Sequence, residues 1–236
     1  MPDKKTPQGI VQLRLHTHRL ADLRKFYHNV FDLPIKEEGK TSLTIQAGST
    51  LLTFEQTEDK DSRPFYHFAF NIPENMLPKA KVWLTKRTPL ITRGTEDEYH
   101  FREWNAHAVY FWDPAENIVE FIARHNLANA KEGEFKSEDV LSASEIGLVV
   151  DDVPETTKIL KEQLALQTYK NPAKNFEAVG DEHQLFIVVQ KERLWFPNQE
   201  YKKKGDVFPT SVNWRGEKAA TLELKGYPYK IDVQRG

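Results

Sequence analysis

Glu120 is the residue whose surroundings most need explaining. It lies within Ile118, Val119, Phe121 and Ile122, so its carboxylate is expected to be buried. Taking a carboxylate out of water costs several kcal/mol unless a proton, a cation or a metal ion compensates it. Ion pairing to Arg14 and exposure at a cavity mouth are the two plainer ways of relieving that cost. The segment just before it, residues 110–117, reads as the end of a strand and a tight turn. Asp113-Pro114 starts such a turn well, because proline fixes its own φ and Asp bonds nearby backbone. Asn117 is a residue type that tolerates the left-handed conformation by which a chain leaves a turn.

Other side chains with chemical potential sit on strand patterns. Residues 10–16 alternate, with Val11, Leu13 and Leu15 on one face and Gln12, Arg14 and His16 on the other. His16 can line the same cavity as Gln12, as a substitute ligand or a base. Arg14 suits either an ion pair or an anionic substrate. His67 lies on the strand pattern 66–72, where the plain reading is a hydrogen-bonded core imidazole. Gln12 has a similar plain reading, since a buried strand Gln commonly bonds its neighbours. Tyr110 and Trp112 alternate onto one strand face, as core or as the wall of an aromatic substrate pocket. Residues 193–197, Arg-Leu-Trp-Phe-Pro, are expected to form an interdomain or dimer contact.

The elements that position these residues repeat. Strand 10–16 is followed by a helical pattern over residues 20–31, then by strand patterns at 35–38, 42–47 and 50–55. The same order restarts with strand 66–72, a helix over 76–85, and strands at 90–92, 100–104, 107–112 and 118–123. A third start, Ser-Glu-Ile-Gly-Leu-Val-Val-Asp at 144–151, precedes a helix over 154–166 with Pro154 in its first turn. Strands at 167–170, 176–179 and 184–189 follow. The final segment offers strands at 210–214, 219–225 and 229–233 with no helix, so it reads as a fourth unit that has lost one. Placing the third unit on the first without gaps puts Glu145 on Gln12, Leu148 on Leu15 and Ile159 on Phe26. Repetition at this spacing is a fold-level signal. It predicts an α+β fold of tandem βαβββ motifs in two curled-sheet domains, the second reduced. The expected domains are residues 9–125 and 143–235, joined by a linker over 126–142.

Composition narrows the function. A formal net charge of −2 leaves no electrostatic footprint for nucleic acid. The basic run Lys202-Lys203-Lys204 reads as a solvated loop. With no cysteine, disulfides, thiolate metal sites and Cys nucleophiles are excluded. No apolar signal region or membrane span is evident, so the protein is expected to be cytoplasmic and to act on a small molecule. A homodimer is left open.

Three stretches carry a resemblance to a known superfamily: residues 20–34 (LADLRKFYHNVFDLP), residues 66–70 (YHFAF) and residues 109–121 (VYFWDPAENIVEF). With them the chain resembles the vicinal oxygen chelate superfamily, which includes glyoxalase I, fosfomycin and bleomycin resistance proteins and extradiol dioxygenases. The resemblance implies a divalent metal (Fe, Zn, Ni or Mn) inside a curled sheet, held by residues of three strands. The matching positions here are Gln12, His67 and Glu120. It also implies a substrate chelated through adjacent oxygens, with Arg14, Tyr110 and Trp112 as substrate-binding candidates and His16 or His107 as general base. Glu145 falls on the first-ligand position of the third unit, but the fourth unit offers no His and Glu to complete a second site. Two departures stand out. Thr53 occupies the place of an additional glyoxalase Glu, and Glu116 the place of a dioxygenase turn Gly. The competing expectation is a metal-free protein that sequesters an apolar ligand, as bleomycin resistance proteins do.

Overall fold

The computed structural model describes residues 9–197, 202–216 and 218–235. The alternating segment at the start forms β1 (Gly9–Thr17), followed by α1 (Leu20–Arg24), which continues as a π-helical turn over Lys25–Val30. That helical stretch buries Leu23, Phe26 and Tyr27 and ends as Asp32 takes a positive φ just before Leu33-Pro34. Three strands complete the first unit: β2 (Ile35–Glu38), β3 (Ser42–Ala47) and β4 (Thr50–Gln56).

The second unit comprises β5 (His67–Ile72), α2 (Leu77–Thr85), β6 (Tyr99–Phe101), β7 (Ala106–Trp112) and β8 (Ile118–Arg124). The third has β9 (Ser142–Val150), α3 (Val153–Leu164), β10 (Phe176–Asp181) and β11 (Gln184–Gln190), and the fourth has only β12 (Thr210–Gly216), β13 (Ala220–Glu223) and β14 (Tyr229–Arg235). The tandem βαβββ plan with a reduced second half is therefore present. Two of the weaker strand expectations reduce to single bridges, Leu90 with Phe111 and Thr168 with Val179. The expected strand 100–104 stops at Phe101 and gives way to a 3-10 turn.

The strands form two seven-stranded sheets, ordered β13-β14-β12-β1-β4-β3-β2 and β10-β11-β9-β5-β8-β7-β6. The first unit thus joins the fourth through the antiparallel pair β1–β12, and the second joins the third through β5–β9. Hydrogen-bonded pairing runs across the expected boundary at 126–142. That stretch itself buries Phe135, Asp139 and Val140. At Gly48, with φ of +58°, a Cβ would come within 1.9 Å of the Leu141 carbonyl oxygen, so only glycine lets the β3–β4 turn close on this segment.

The second sheet curls into a half-barrel, and the first is more open. Strand alternation sorts its side chains. Phe68, Phe70, Val119 and Phe121 join the main core, while Ala69, Ile118, Ile122 and Tyr110 join a smaller cluster on the concave face. Burying each large side chain contributes roughly 1.5–3 kcal/mol. This alternation is what commits Glu120 and His67 to the inside of the curl. Among the described residues, no helix is long and apolar enough to cross a membrane.

Candidate metal centre

The turn ahead of Glu120 is fixed by Asp113. One of its carboxylate oxygens accepts from the backbone N–H groups of Ala115 (2.9 Å) and Asn117 (3.1 Å). The other accepts from the Asn117 amide (2.7 Å) and the Tyr27 hydroxyl (2.9 Å). Burial pushes the Asp113 pKa up to about 6 against these stabilising bonds. The left-handed residue of the turn is Glu116, with φ of 63°, and not Asn117 as the residue types suggested. Asn117 serves through its side chain instead, accepting from the Tyr66 backbone N–H at 2.8 Å. That bond sets the start of β5 against the start of β8, and with it the height of His67.

His67, Glu120 and Glu145 converge on the concave face of the curled sheet, all buried. One potential ligand atom from each lies within 4.8 Å of the other two. His67 Nε2 is 3.6 Å from Glu120 Oε2 and 3.8 Å from Glu145 Oε2. The other ring nitrogen, Nδ1, stands 3.1 Å from the Ile118 carbonyl oxygen. A carbonyl only accepts, so Nδ1 carries the proton and Nε2 presents its lone pair toward the carboxylates whenever the ring is neutral.

The charges around this point are unbalanced by design of the strands. Glu145 pairs with the guanidinium of Arg124, which is itself fully buried and also donates to Asn71 Oδ1 at 3.1 Å. Burial pushes the Glu145 carboxyl up, but Arg124 and then His67 outweigh it and hold its pKa below the usual range. Among the described residues, Glu120 pairs with no arginine or lysine. Burial and the neighbouring Glu145 push its pKa well above the usual value, and Arg124 and the Tyr110 hydroxyl offset only part of this. Tyr110 faces Glu120 across the β7–β8 pair. Burial, with the two carboxylates next, keeps its phenol firmly protonated.

This donor set fits a divalent cation. A neutral imidazole nitrogen and two carboxylates are ligand types suited to borderline and harder first-row ions. With Arg124 cancelling one of the two carboxylate charges, the remaining excess is one that only a proton or a cation can relieve.

Above the cluster is a cavity of about 310 Å³ lined by Phe101, Trp104, Tyr110, Phe176, Ile187, Arg193, Trp195 and Phe196, with His67, Glu120 and Glu145 among its walls. Trp195 and Phe196 come from the segment after β11, which folds over the mouth. The Trp195 ring lies 5.2 Å from the His67 ring. This is possible because β9 carries Gly147, where a Cβ would come within 2.5 Å of Trp195 Cη2. Lys203, farther along the same segment, pairs with Glu116 and lies 4.4 Å from the centre of the Phe65 ring.

Of the residues singled out in the sequence, His67, Glu120 and Tyr110 are brought together here. Gln12 is not. It sits on β1 in the other sheet, where its Oε1 accepts from Asn213 at 3.3 Å, and Glu145 is the third residue of the cluster. The sheet pairing is the reason: β5 has β9 as its neighbour, so the first strand of the third unit reaches the cluster and that of the first unit does not. Arg14 pairs with Glu55, and His16 lies 3.6 Å from the same Glu55, both in the first sheet. Glu120 is therefore not the partner of Arg14.

His107 stacks on His100 with ring centres 4.0 Å apart and bonds His125 at 2.8 Å. Its strand neighbours Ala106 and Ala108 face the cavity cluster, which turns His107 the other way. Trp112, at the end of β7, packs half-buried against that cluster but does not line the cavity. Residues 193–197 make the expected contact between the two halves of the chain, Trp195 against His67 and Phe196 against Tyr99 and Tyr110, and Arg193, Trp195 and Phe196 also line the cavity, which the sequence did not suggest. Two participants were missed. Arg124 was detectable, because Glu120, Ile122 and Arg124 alternate onto one strand face. Glu145 was noted at a first-ligand position, but with the wrong partner unit.

The tandem βαβββ architecture is like that of the vicinal oxygen chelate fold, and the buried His67, Glu120 and Glu145 form a candidate metal site. Among solved structures, the chain is similar to a Bacillus subtilis protein titled "putative dioxygenase", with 13% identity and a TM-score of 0.60, covering 97% of this chain and 86% of that one. It is also similar to glyoxalase I from Zea mays, with 12% identity and a TM-score of 0.55, covering 96% of this chain and 92% of that one. At these identities the likeness is one of fold. No protein-family model matches the chain, and no curated protein matches its sequence.

Proposed function

We propose that the protein is a divalent-metal-dependent enzyme whose small, largely apolar substrate is held through two adjacent oxygens over His67, Glu120 and Glu145. The observation that carries this reading is the convergence of these three donors on one point beneath an aromatic-lined cavity. When bound, a divalent ion supplies Lewis-acid polarisation of the substrate oxygens. Fe, Zn, Ni and Mn are all compatible with the donor types. The set has one histidine and two carboxylates, whereas the facial triad of non-haem iron oxygenases has two histidines and one carboxylate. A lyase or isomerase step is the better fit on that ground.

The chain's own residues divide the work. Arg124 holds one oxygen of Glu145 and leaves the other toward His67. Tyr110 holds Glu120 in a fixed orientation. Phe101, Trp104 and Trp195 line the cavity with apolar surface beside the donors, which lowers the local dielectric and strengthens charge interactions there. Neither His16 nor His107 lines the cavity, so a proton passing to or from the substrate is handled by a cavity carboxylate. The test is metal analysis followed by assay with hemithioacetals and with catechols under oxygen. Metal-dependent turnover of the former supports the lyase reading, and oxygen uptake with the latter supports a dioxygenase.

One observation favours a second reading. His67 lies 3.6 Å from Glu120 and 3.8 Å from Glu145, and Arg124 pairs with Glu145, so the two carboxylates have partners within the cluster without a metal. The cavity is then a sequestering site for an apolar ligand. Binding of an aromatic ligand that is indifferent to chelators and to added metal supports this reading.

A further inference from the structure

Arg193 is the one arginine or lysine among the described residues lining the cavity. It is held at the start of the covering segment by its backbone: its N–H donates to the Gln190 carbonyl (3.1 Å) and its carbonyl accepts from Gly205 (2.8 Å). Its guanidinium lies 5.1 Å from the centre of the Phe176 ring, and Nη1 reaches the next residue's own carbonyl, Leu194, at 3.2 Å. No carboxylate among the described residues pairs with it. Arg14, Arg19, Arg24, Arg93 and Arg124 each have an acidic partner. Burial pushes the pKa of Arg193 down, the sign of a partly desolvated and uncompensated charge. A planar guanidinium with free donors, set in an aromatic wall, is suited to a carboxylate.

We propose that Arg193 determines substrate specificity by binding an anionic group, and that the substrate is a flat aromatic molecule bearing a carboxylate at the end opposite its metal-chelating oxygens. The inference rests on the reading of the cavity as the substrate site. The lining of the cavity supports the division of roles. Phe101, Trp104, Tyr110, Phe176, Trp195 and Phe196 supply apolar and ring contacts, and Arg193 supplies a guanidinium without a carboxylate partner among the described residues. A carboxylate on the substrate therefore has a place at Arg193, apart from the His67, Glu120 and Glu145 donors. A volume of about 310 Å³ holds a single substituted ring.

The experiment follows quenching of tryptophan fluorescence, since Trp104 and Trp195 line the cavity. The probes are 3,4-dihydroxybenzoate and its neutral isostere 3,4-dihydroxybenzamide, each titrated with and without Mn(II). Wild-type protein is expected to bind the carboxylate about tenfold more tightly than the amide. Arg193→Gln is expected to weaken carboxylate binding about tenfold more than amide binding, so that the preference is lost, and Arg193→Lys to retain part of it. Equal affinity of the wild type for both probes overturns the proposal, as does a preference that survives Arg193→Gln or a failure to bind either probe. A carboxylate preference that depends on Arg193 but ignores Mn(II) upholds this proposal and counts against the metal-dependent reading. Mn(II)-dependent binding that ignores Arg193 does the reverse.

Discussion

Glu120 and Glu145 stand on one rung of the curled sheet, on either side of Ala69. Ala69 pairs with Glu120 across the parallel β5–β8 ladder and with Glu145 across the antiparallel β5–β9 ladder. In-register neighbours project to the same face, so both carboxylates arrive at the same height, with His67 two residues before Ala69 on that face. Only a methyl group fills the space between them.

That space makes Ala69 a sensitive position. Ala69→Leu puts three extra carbons into a fully buried site and is expected to cost about 1–3 kcal/mol by overpacking. It also forces the carboxylates apart, so metal affinity should fall by more than the variant's loss of stability accounts for. Isothermal titration with Mn(II), beside urea denaturation, separates the two effects.

The unrelieved charge at Glu120 has a pH consequence. In chelator-stripped protein, Glu120 keeps its proton above the ordinary value of 4.5 because of burial and Glu145. Across that window the native state binds more protons than the unfolded one, so stability falls as pH rises. Glu145, held low by Arg124, acts in the opposite sense: its contribution is lost as pH falls through its native pKa. Glu120→Gln removes the first effect. Its Tm should fall less than that of the stripped wild type between about pH 5 and about pH 8. Parallel Tm profiles for the two proteins would contradict the assignment.

Arg124 is buried completely, and its guanidinium is the partner of Glu145. Arg124→Met leaves a buried carboxylate without its cation, a loss of about 3–5 kcal/mol. The double variant Arg124→Met/Glu145→Gln should recover part of that. Equilibrium urea unfolding of the three proteins tests the coupling, and strictly additive losses would count against a direct pair.

The pattern of elements was legible because each follows from local chemistry: alternation for β1, β5 and β8, helical spacing for α2 and α3, proline in the first turn of α3. The strand carrying Glu120 and the one carrying His67 were readable for the same reason. The choice of which units share a sheet was not, because it is decided by contacts between distant segments. The β1–β12 pair matches Gln12 with Asn213, and nothing local to either residue announces it. That choice decided the third donor, exchanging Gln12 for Glu145. The segment from Arg193 to Pro197 was legible as a contact between parts of the chain but not as the wall of a cavity. That depends on Gly147, far earlier in the chain, making room for Trp195.

Gly147 therefore has a specific prediction. A Cβ there would lie within 2.5 Å of Trp195 Cη2, so Gly147→Ala should push the indole out of its place and open the cavity wall. Trp195 fluorescence should shift to longer wavelength, and aromatic-ligand affinity should fall about tenfold, with a stability loss of about 1–3 kcal/mol. Adding Trp195→Phe, a smaller ring, should recover most of the stability. An unchanged emission spectrum in Gly147→Ala would show that the ring is not held where the structure puts it.

The central claim is that the third donor comes from β9 and not from β1. Mn(II) titration of chelator-stripped wild type, Glu145→Gln and Gln12→Ala tests it directly. The expected result is one ion per chain in the wild type, the same in Gln12→Ala, and an affinity reduced beyond the ~10–100-fold typical of outer-shell changes in Glu145→Gln. Retained binding in Glu145→Gln with loss in Gln12→Ala, or no binding by the wild type, would contradict the account.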